Sequence, residues 1–211
     1  MTYTPGPSQP LNHGPAPSLP IRSEVMVPRS RIPHSEQDTV SALHAQEAAE
    51  QAERDNLIRQ LGIPTGAHEL FDEYAARMAT DTGFAYGMVN LFLEEQTFIG
   101  LHNPPADSGY LIVPRTMSRA HGWCPEVVKR RKALPLHNVH ASPRFSSNAV
   151  VDAVGIQSYF GAPLLHESGT VLGTVCVIDP STRPLSDARR LRDIVLDTAR
   201  QVMQEITTRQ P

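Results

Sequence analysis

Two apolar runs, Ser158 to Leu165 and Thr170 to Ile178, flank the polar turn His166-Glu167-Ser168-Gly169. Both are rich in β-branched and aromatic residues and both end at turn formers, so the pattern predicts two adjacent strands joined by a hairpin at the centre of a sheet. Phe84 to Phe92 and Gln96 to His102, separated by the polar pair Glu94-Glu95, predict a second hairpin. Tyr110 to Val113 and Leu134 to Val139 read as short strands. Helical spacing predicts the rest. Thr39 to Leu61 contains no Gly or Pro, follows a capping box at Ser35-Glu36-Gln37-Asp38, and carries a thin stripe of Val40, Leu43, Ala45, Ala48, Ala52, Leu57, Ile58 and Leu61 before Gly62 and Pro64 stop it. Leu70, Phe71, Tyr74, Ala75 and Met78 mark a helix over about 67–80, Gly122 to Lys132 a short one, and Leu191, Ile194, Val195, Thr198, Val202 and Ile206 a last one capped by Ser186. Hairpin-linked strands with helices at the two chain ends imply an α+β fold. Its antiparallel sheet is covered by helices, unlike a doubly wound parallel sheet.

Composition adds boundaries and exclusions. Eight of the 19 prolines fall in residues 1–35, where proline blocks helix and ladder alike and few large side chains offset ordering entropy. The organisation expected is a disordered arm over 1–35, an N-terminal helix over 36–62 and one folded domain over 63–208. With 19 Lys and Arg against 22 Asp and Glu, the net charge of −3 carries no argument for nucleic acid. The four cations Lys129-Arg130-Arg131-Lys132 fan around a helix and read as a solvated face. The longest apolar runs are too short for a membrane span, the N-terminus lacks a secretory pattern, and two cysteines suit a reducing compartment, so a cytoplasmic protein is expected.

Several segments together resemble the GAF domain family. They are Phe71-Asp72, Val89-Asn90-Leu91, Gln96-Thr97-Phe98, Gly122-Trp123-Cys124, Pro143-Arg144-Phe145 with Asn148, Gly161-Ala162-Pro163-Leu164, and Leu172-Gly173-Thr174-Val175-Cys176-Val177-Ile178-Asp179. The resemblance runs from about Asn56 to Arg200. It implies a GAF/PAS-like α+β domain: a central antiparallel sheet of about five or six strands, N- and C-terminal helices on one face, and connector helices on the other. It also implies a small-molecule cavity between sheet and connector, and regulation rather than catalysis.

That frame narrows the candidate chemistry. GAF proteins that reduce free methionine sulfoxide carry a reactive thiol in the connector, but here Arg144 to Asp152 holds no cysteine. Cys176, among Val175, Val177 and Ile178, reads as a buried structural thiol, and Cys124 is the more open of the two. The chain lacks the Cys-His neighbourhood of bilin-binding relatives and the Lys and acids of the cyclic-nucleotide motif. His137 and His140 sit in a strand and loop where they need not converge, so no metal site is expected, although the nine histidines leave haem open. Phosphate loops, dinucleotide fingerprints and paired-Cys zinc spacings are missing.

The reading is therefore a non-enzymatic sensory or regulatory module with no catalytic residue, a small ligand of unknown class, and no named cofactor. Candidate pocket-lining residues are Trp123, Cys124, Phe145, Ile156, Tyr159 and Phe160, with the Tyr159 hydroxyl and Arg144 as polar anchors. The alternatives are a ligand-free dimerisation or docking platform and a thiol-dependent reductase of free methionine sulfoxide. No output domain is expected beyond residue 208, which implies a partner protein. The helices at 36–61 and 186–206 are the expected seam of a homodimer. Neither a nucleic acid nor a membrane is an expected partner.

Overall fold

A computed structural model describes residues 34–208. The arm expected over 1–35 lies outside the described residues, apart from its last two, which begin the first helix. The chain divides into two compact units between Thr39 and Val40. The second of these units contains the whole sheet.

The sheet is built from β1 (Tyr86–Phe92), β2 (Gln96–His102), β3 (Thr116–Met117), β4 (Leu134–Leu136), β5 (Ser158–Leu165) and β6 (Val171–Asp179). Its strand order is β3-β2-β1-β6-β5-β4, and every neighbouring pair is antiparallel. β6, buried along its whole length, sits at the centre between β1 and β5. Helices α2 (Glu69–Thr82) and α6 (Ala188–Thr208) pack on one side, joined there by Ile58 near the end of α1 (His34–Gln60). The connector carries α3 (Cys124–Arg130), α4 (Pro143–Ser146) and α5 (Ala149–Val154) over the other.

Strand parity sorts the side chains into two cores. Val89, Leu91, Phe160, Ala162, Leu164, Val175 and Val177 join Phe71, Ala75 and Met78 of α2 and Leu191, Val195 and Val202 of α6. Tyr86, Met88, Phe98, Tyr159, Cys176 and Ile178 face the connector with Trp123, Cys124, Val127 and Ile156. Because both faces are covered, all of β1 and β6 are buried, and both are mostly apolar, with Asn90, Thr174 and Asp179 the buried polar exceptions. Each fully buried large side chain contributes about 1.5–3 kcal/mol through removal of apolar surface from water.

The backbone of α2 lies hard against the sheet where glycines leave room. A Cβ on Gly87 would meet the Ala75 carbonyl, and one on Gly100 the Phe71 carbonyl. Asp72 fastens the same contact: its Oδ1 accepts from the Leu101 amide at 2.7 Å, and its carboxylate takes both guanidinium nitrogens of Arg115 at 3.0 and 2.8 Å. An αL Gly83, whose amide bonds to the Ala79 and Thr80 carbonyls, ends α2.

Some boundaries differ from expectation. No strand forms over Tyr110–Val113; the third strand is Thr116–Met117, where the chain runs antiparallel to Gln96 and Thr97. Ser186 does not cap the last helix. It lies in a 3-10 turn over Leu185–Asp187, and α6 begins at Ala188. α1 begins at His34, one residue before the Ser35 expected to cap it.

Candidate ligand-binding site

Between the sheet and the connector lies an apolar cavity of about 430 Å³. Met88 of β1, Phe98 of β2, and Cys176 and Ile178 of β6 form its floor. Trp123 and Cys124, at the start of α3, and Val150, Ala153 and Val154 of α5 form its connector side. Leu111, Ile112, Val113 and Pro114 close the remaining side as an irregular segment, with Leu111 and Ile112 more than half exposed. The volume lies within the range of small-molecule pockets.

Buried amides aim this wall. Asn90 Nδ2 donates to Gln96 Oε1 at 3.0 Å, and Gln96 Nε2 donates to the Ser118 and His121 carbonyls, both at 2.8 Å. The loop leading into Trp123 is thereby hung from the sheet. Asn148 holds it from the connector: its Nδ2 donates to the Gly122 carbonyl at 2.8 Å and its Oδ1 accepts from the Gly122 amide at 3.1 Å. Gly122 takes a φ of +75°, which gives the turn into α3. Trp123 Nε1 donates to the Phe145 carbonyl at 3.1 Å, so the indole spans α3 and α4. On the open side, the Tyr86 hydroxyl donates to the Leu111 carbonyl at 2.8 Å.

The polar chemistry of the floor is sulfur. Met88 and Cys176 are directly opposed across β1 and β6, with Cys176 Sγ 3.7 Å from Met88 Sδ. Cys124 Sγ reaches down from α3 to 3.7 Å from Cys176 Sγ and 3.5 Å from the Tyr159 hydroxyl. Both thiols are free and buried. The hydrogen bond between the two thiols, aided by Thr174, Tyr159 and Asn90, draws the Cys124 thiol down to about 7 against the opposing effect of burial. The same hydrogen bond, then burial and the Cys124 charge, pushes Cys176 well up. Burial and the two thiols raise the Tyr159 phenol. Gly161 makes room for that phenol: a Cβ there would meet the Tyr159 hydroxyl.

The residues singled out from the sequence divide in three. Trp123 and Cys124 line the cavity, while Tyr159 and Ile156 are buried in the core around it. Phe145 packs half-buried against that core, and Arg144 points to solvent, paired with Glu126 at 2.6 Å and stacked 5.5 Å from the Phe145 ring. Phe160 lies across the sheet, edge-on to Phe84 at 5.7 Å in the helix-side core. It neighbours Tyr159, and successive strand residues face opposite ways. Sequence reasoning missed Met88, Phe98, Ile178 and the 111–114 segment. Period-2 alternation marks Met88 with Asn90, and Thr174 with Cys176 and Ile178, but only the β1–β6 register brings the two sets together.

Among the described residues no three or more His, Cys, Asp and Glu side chains cluster as a metal site, so His137 and His140 join none. The four cations from Lys129 to Lys132 are exposed, as a solvated face requires. No helix of the described residues is long and apolar enough to cross a membrane. A broader depression of about 590 Å³ beside Pro135 and the start of α6 is lined mainly by exposed side chains such as Leu185, Arg189 and Arg192.

A covered antiparallel sheet with a connector arched over a cavity defines an α+β domain with an internal pocket. The family described as GAF domain matches residues 66–206, and the chain belongs to that family. It is similar in structure to the GAF domain of an Acinetobacter phosphoenolpyruvate-protein phosphotransferase, at 13% identity and a TM-score of 0.50 over 76% of this chain and 94% of that one. It is also similar to a free methionine-R-sulfoxide reductase from Neisseria meningitidis in complex with its substrate (13% identity, TM-score 0.49, 77% and 92% covered). A third similar structure is a putative GAF sensor protein from Burkholderia vietnamiensis (16% identity, TM-score 0.47, 76% and 95% covered). No curated protein matches the chain.

Proposed function

We propose that this protein is a regulatory module that senses a small apolar molecule held between sheet and connector. The cavity of about 430 Å³ carries the reading, because its walls are mainly aliphatic, aromatic and sulfur side chains, with Thr116 and His121 the polar exceptions. Trp123 supplies a broad apolar face and the Tyr110–Pro114 segment an entrance. A ligand touching both Trp123 and Leu111 would couple α3 to the loop above β2, so occupancy could be passed to a partner through that surface.

The test is native mass spectrometry of protein purified from its source cells, followed by Trp123 fluorescence with any molecule released. A retained apolar molecule, lost when Val154→Trp fills the cavity, is the expected result. Protein that arrives empty and shows no quenching with a panel of apolar ligands would end the ligand-sensing reading. Turnover of free methionine-(R)-sulfoxide with a thiol reductant would replace it with the reductase reading.

A second reading concerns assembly. Val40 and Leu43 on α1 are 50% and 55% exposed, and Ala48 and Ala52 lie on the same helix with their side chains in solvent. We propose that this surface seats a second copy of the chain, which would let the ligand state be read by a dimer in the cytoplasm.

A further inference from the structure

Three sulfur atoms meet on the cavity floor. Cys176 lies 3.7 Å from both the Cys124 thiol and the Met88 thioether, and all three residues line the cavity. Metal–sulfur bonds of about 2.3 Å at trigonal angles place sulfurs that share one ion roughly 4.0 Å apart. The two pair spacings fall a few tenths of an ångström short of that, a difference that side-chain rotation covers. Met88 is unbranched and can swing its sulfur onto a third position.

We infer that Met88, Cys124 and Cys176 form a binding site for monovalent copper. The donor set selects the ion. Thiolate with thioether is a soft combination that suits copper(I). Zinc takes four ligands from Cys, His and carboxylates, and no such third group clusters here among the described residues. Iron–sulfur clusters generally need four cysteines, and the chain has two. On binding, two sulfur–copper bonds form, both thiol protons leave to solvent, and the thioether donates a lone pair; copper stays monovalent and no electron is transferred. The complex carries one net negative charge. The Tyr159 hydroxyl, 3.5 Å from the Cys124 sulfur, offsets it by donating a hydrogen bond.

This site does not depend on an organic ligand entering the cavity, so its test stands apart from the one above. Reduced full-length protein is titrated without oxygen against a chromophoric copper(I) chelator. The wild type is expected to take one equivalent from the chelator, with thiolate-to-copper absorption in the ultraviolet and no displacement by excess zinc(II). Cys124→Ser and Cys176→Ser should each weaken binding by more than the roughly 10–100-fold cost of outer-shell changes, and Met88→Leu, which keeps the volume, by a smaller factor. X-ray absorption of the loaded wild type should show sulfur ligands alone, and this readout needs no variant to fold. The inference is overturned if the wild type leaves copper with the chelator, if zinc(II) displaces it, if nitrogen or oxygen ligands dominate, or if the double Cys→Ser variant binds as tightly.

Discussion

At the scale of single residues, the most consequential group is the Cys124 thiol. Its neighbour Cys176 is the largest cause holding it down to about 7, while Cys176 itself stays protonated well above the ordinary thiol range. Thiolate absorbance of the folded protein should therefore rise in one step near pH 7. Cys176→Ala, which removes the hydrogen bond, should move that step upward, and an unmoved step would remove the coupling. Stability follows with a definite sign. Between about pH 7 and the ordinary thiol value near 8.5, the unfolded chain holds the Cys124 proton that the native protein has lost, so stability rises with pH. Above that range the unfolded chain loses the Cys176 proton that the native protein keeps, so stability falls. The urea midpoint of wild type minus that of the double Cys→Ser variant should peak between those regimes; a flat difference would contradict the pair. Asn148 makes a second residue-scale case. Asn148→Ala removes both hydrogen bonds to Gly122 and should cost about 1–3 kcal/mol in a denaturant titration, for two backbone groups left unpaired. Trp123 fluorescence should change with it, because Gly122 fixes the indole's backbone. Asn148 was legible only as part of a motif. Its partner sits 26 residues away, a pairing that periodicity does not reveal.

At the scale of elements, β1, β2, β5 and β6 were readable because their apolar runs are bounded by turns, and α2 and α6 because three-and-four spacing survives along each. What failed was local. Tyr110–Val113 has the composition of a strand, yet its apolar side chains roof a cavity instead of pairing. Phe160 and Tyr159, both expected as pocket walls, lie on opposite faces of the sheet, because a one-residue step in a strand changes the face. The approach of α2 to the sheet was not readable either, since Gly87 and Gly100 in strands look like weak strand formers until the helix backbone is seen above them. Gly100→Ala makes the contact testable. Its methyl would press on the Phe71 carbonyl and force α2 and β2 apart, at a cost of about 1–3 kcal/mol as for overpacking elsewhere. The melting temperature should drop, whereas Gly66→Ala, which meets nothing within 4 Å, should change it little. Equal melting of the two variants would mean that the close approach is not a constraint.

At the scale of the whole molecule, the family and fold were legible because many short matches kept their order along most of the chain, and the family matches residues 66–206. The cavity was legible in location, not in chemistry: its sulfur floor depends on β1 and β6 pairing so that Met88 opposes Cys176. α1 differs from the other long helices. Its C-terminal turns bury Arg54 and Ile58, but residues 38–49 are exposed all round. A helix so exposed gains little from tertiary packing, and propensity alone leaves a few helical turns marginal in water. A second copy laid along Val40 and Leu43 would supply the missing burial. Light scattering should then give twice the chain mass for the wild type. Leu43→Glu combined with Ala48→Glu should halve it, because two charges would have to be buried unpaired in the seam. A wild type at the single-chain mass, or a variant unchanged at the double mass, would show that this surface meets something other than its own copy.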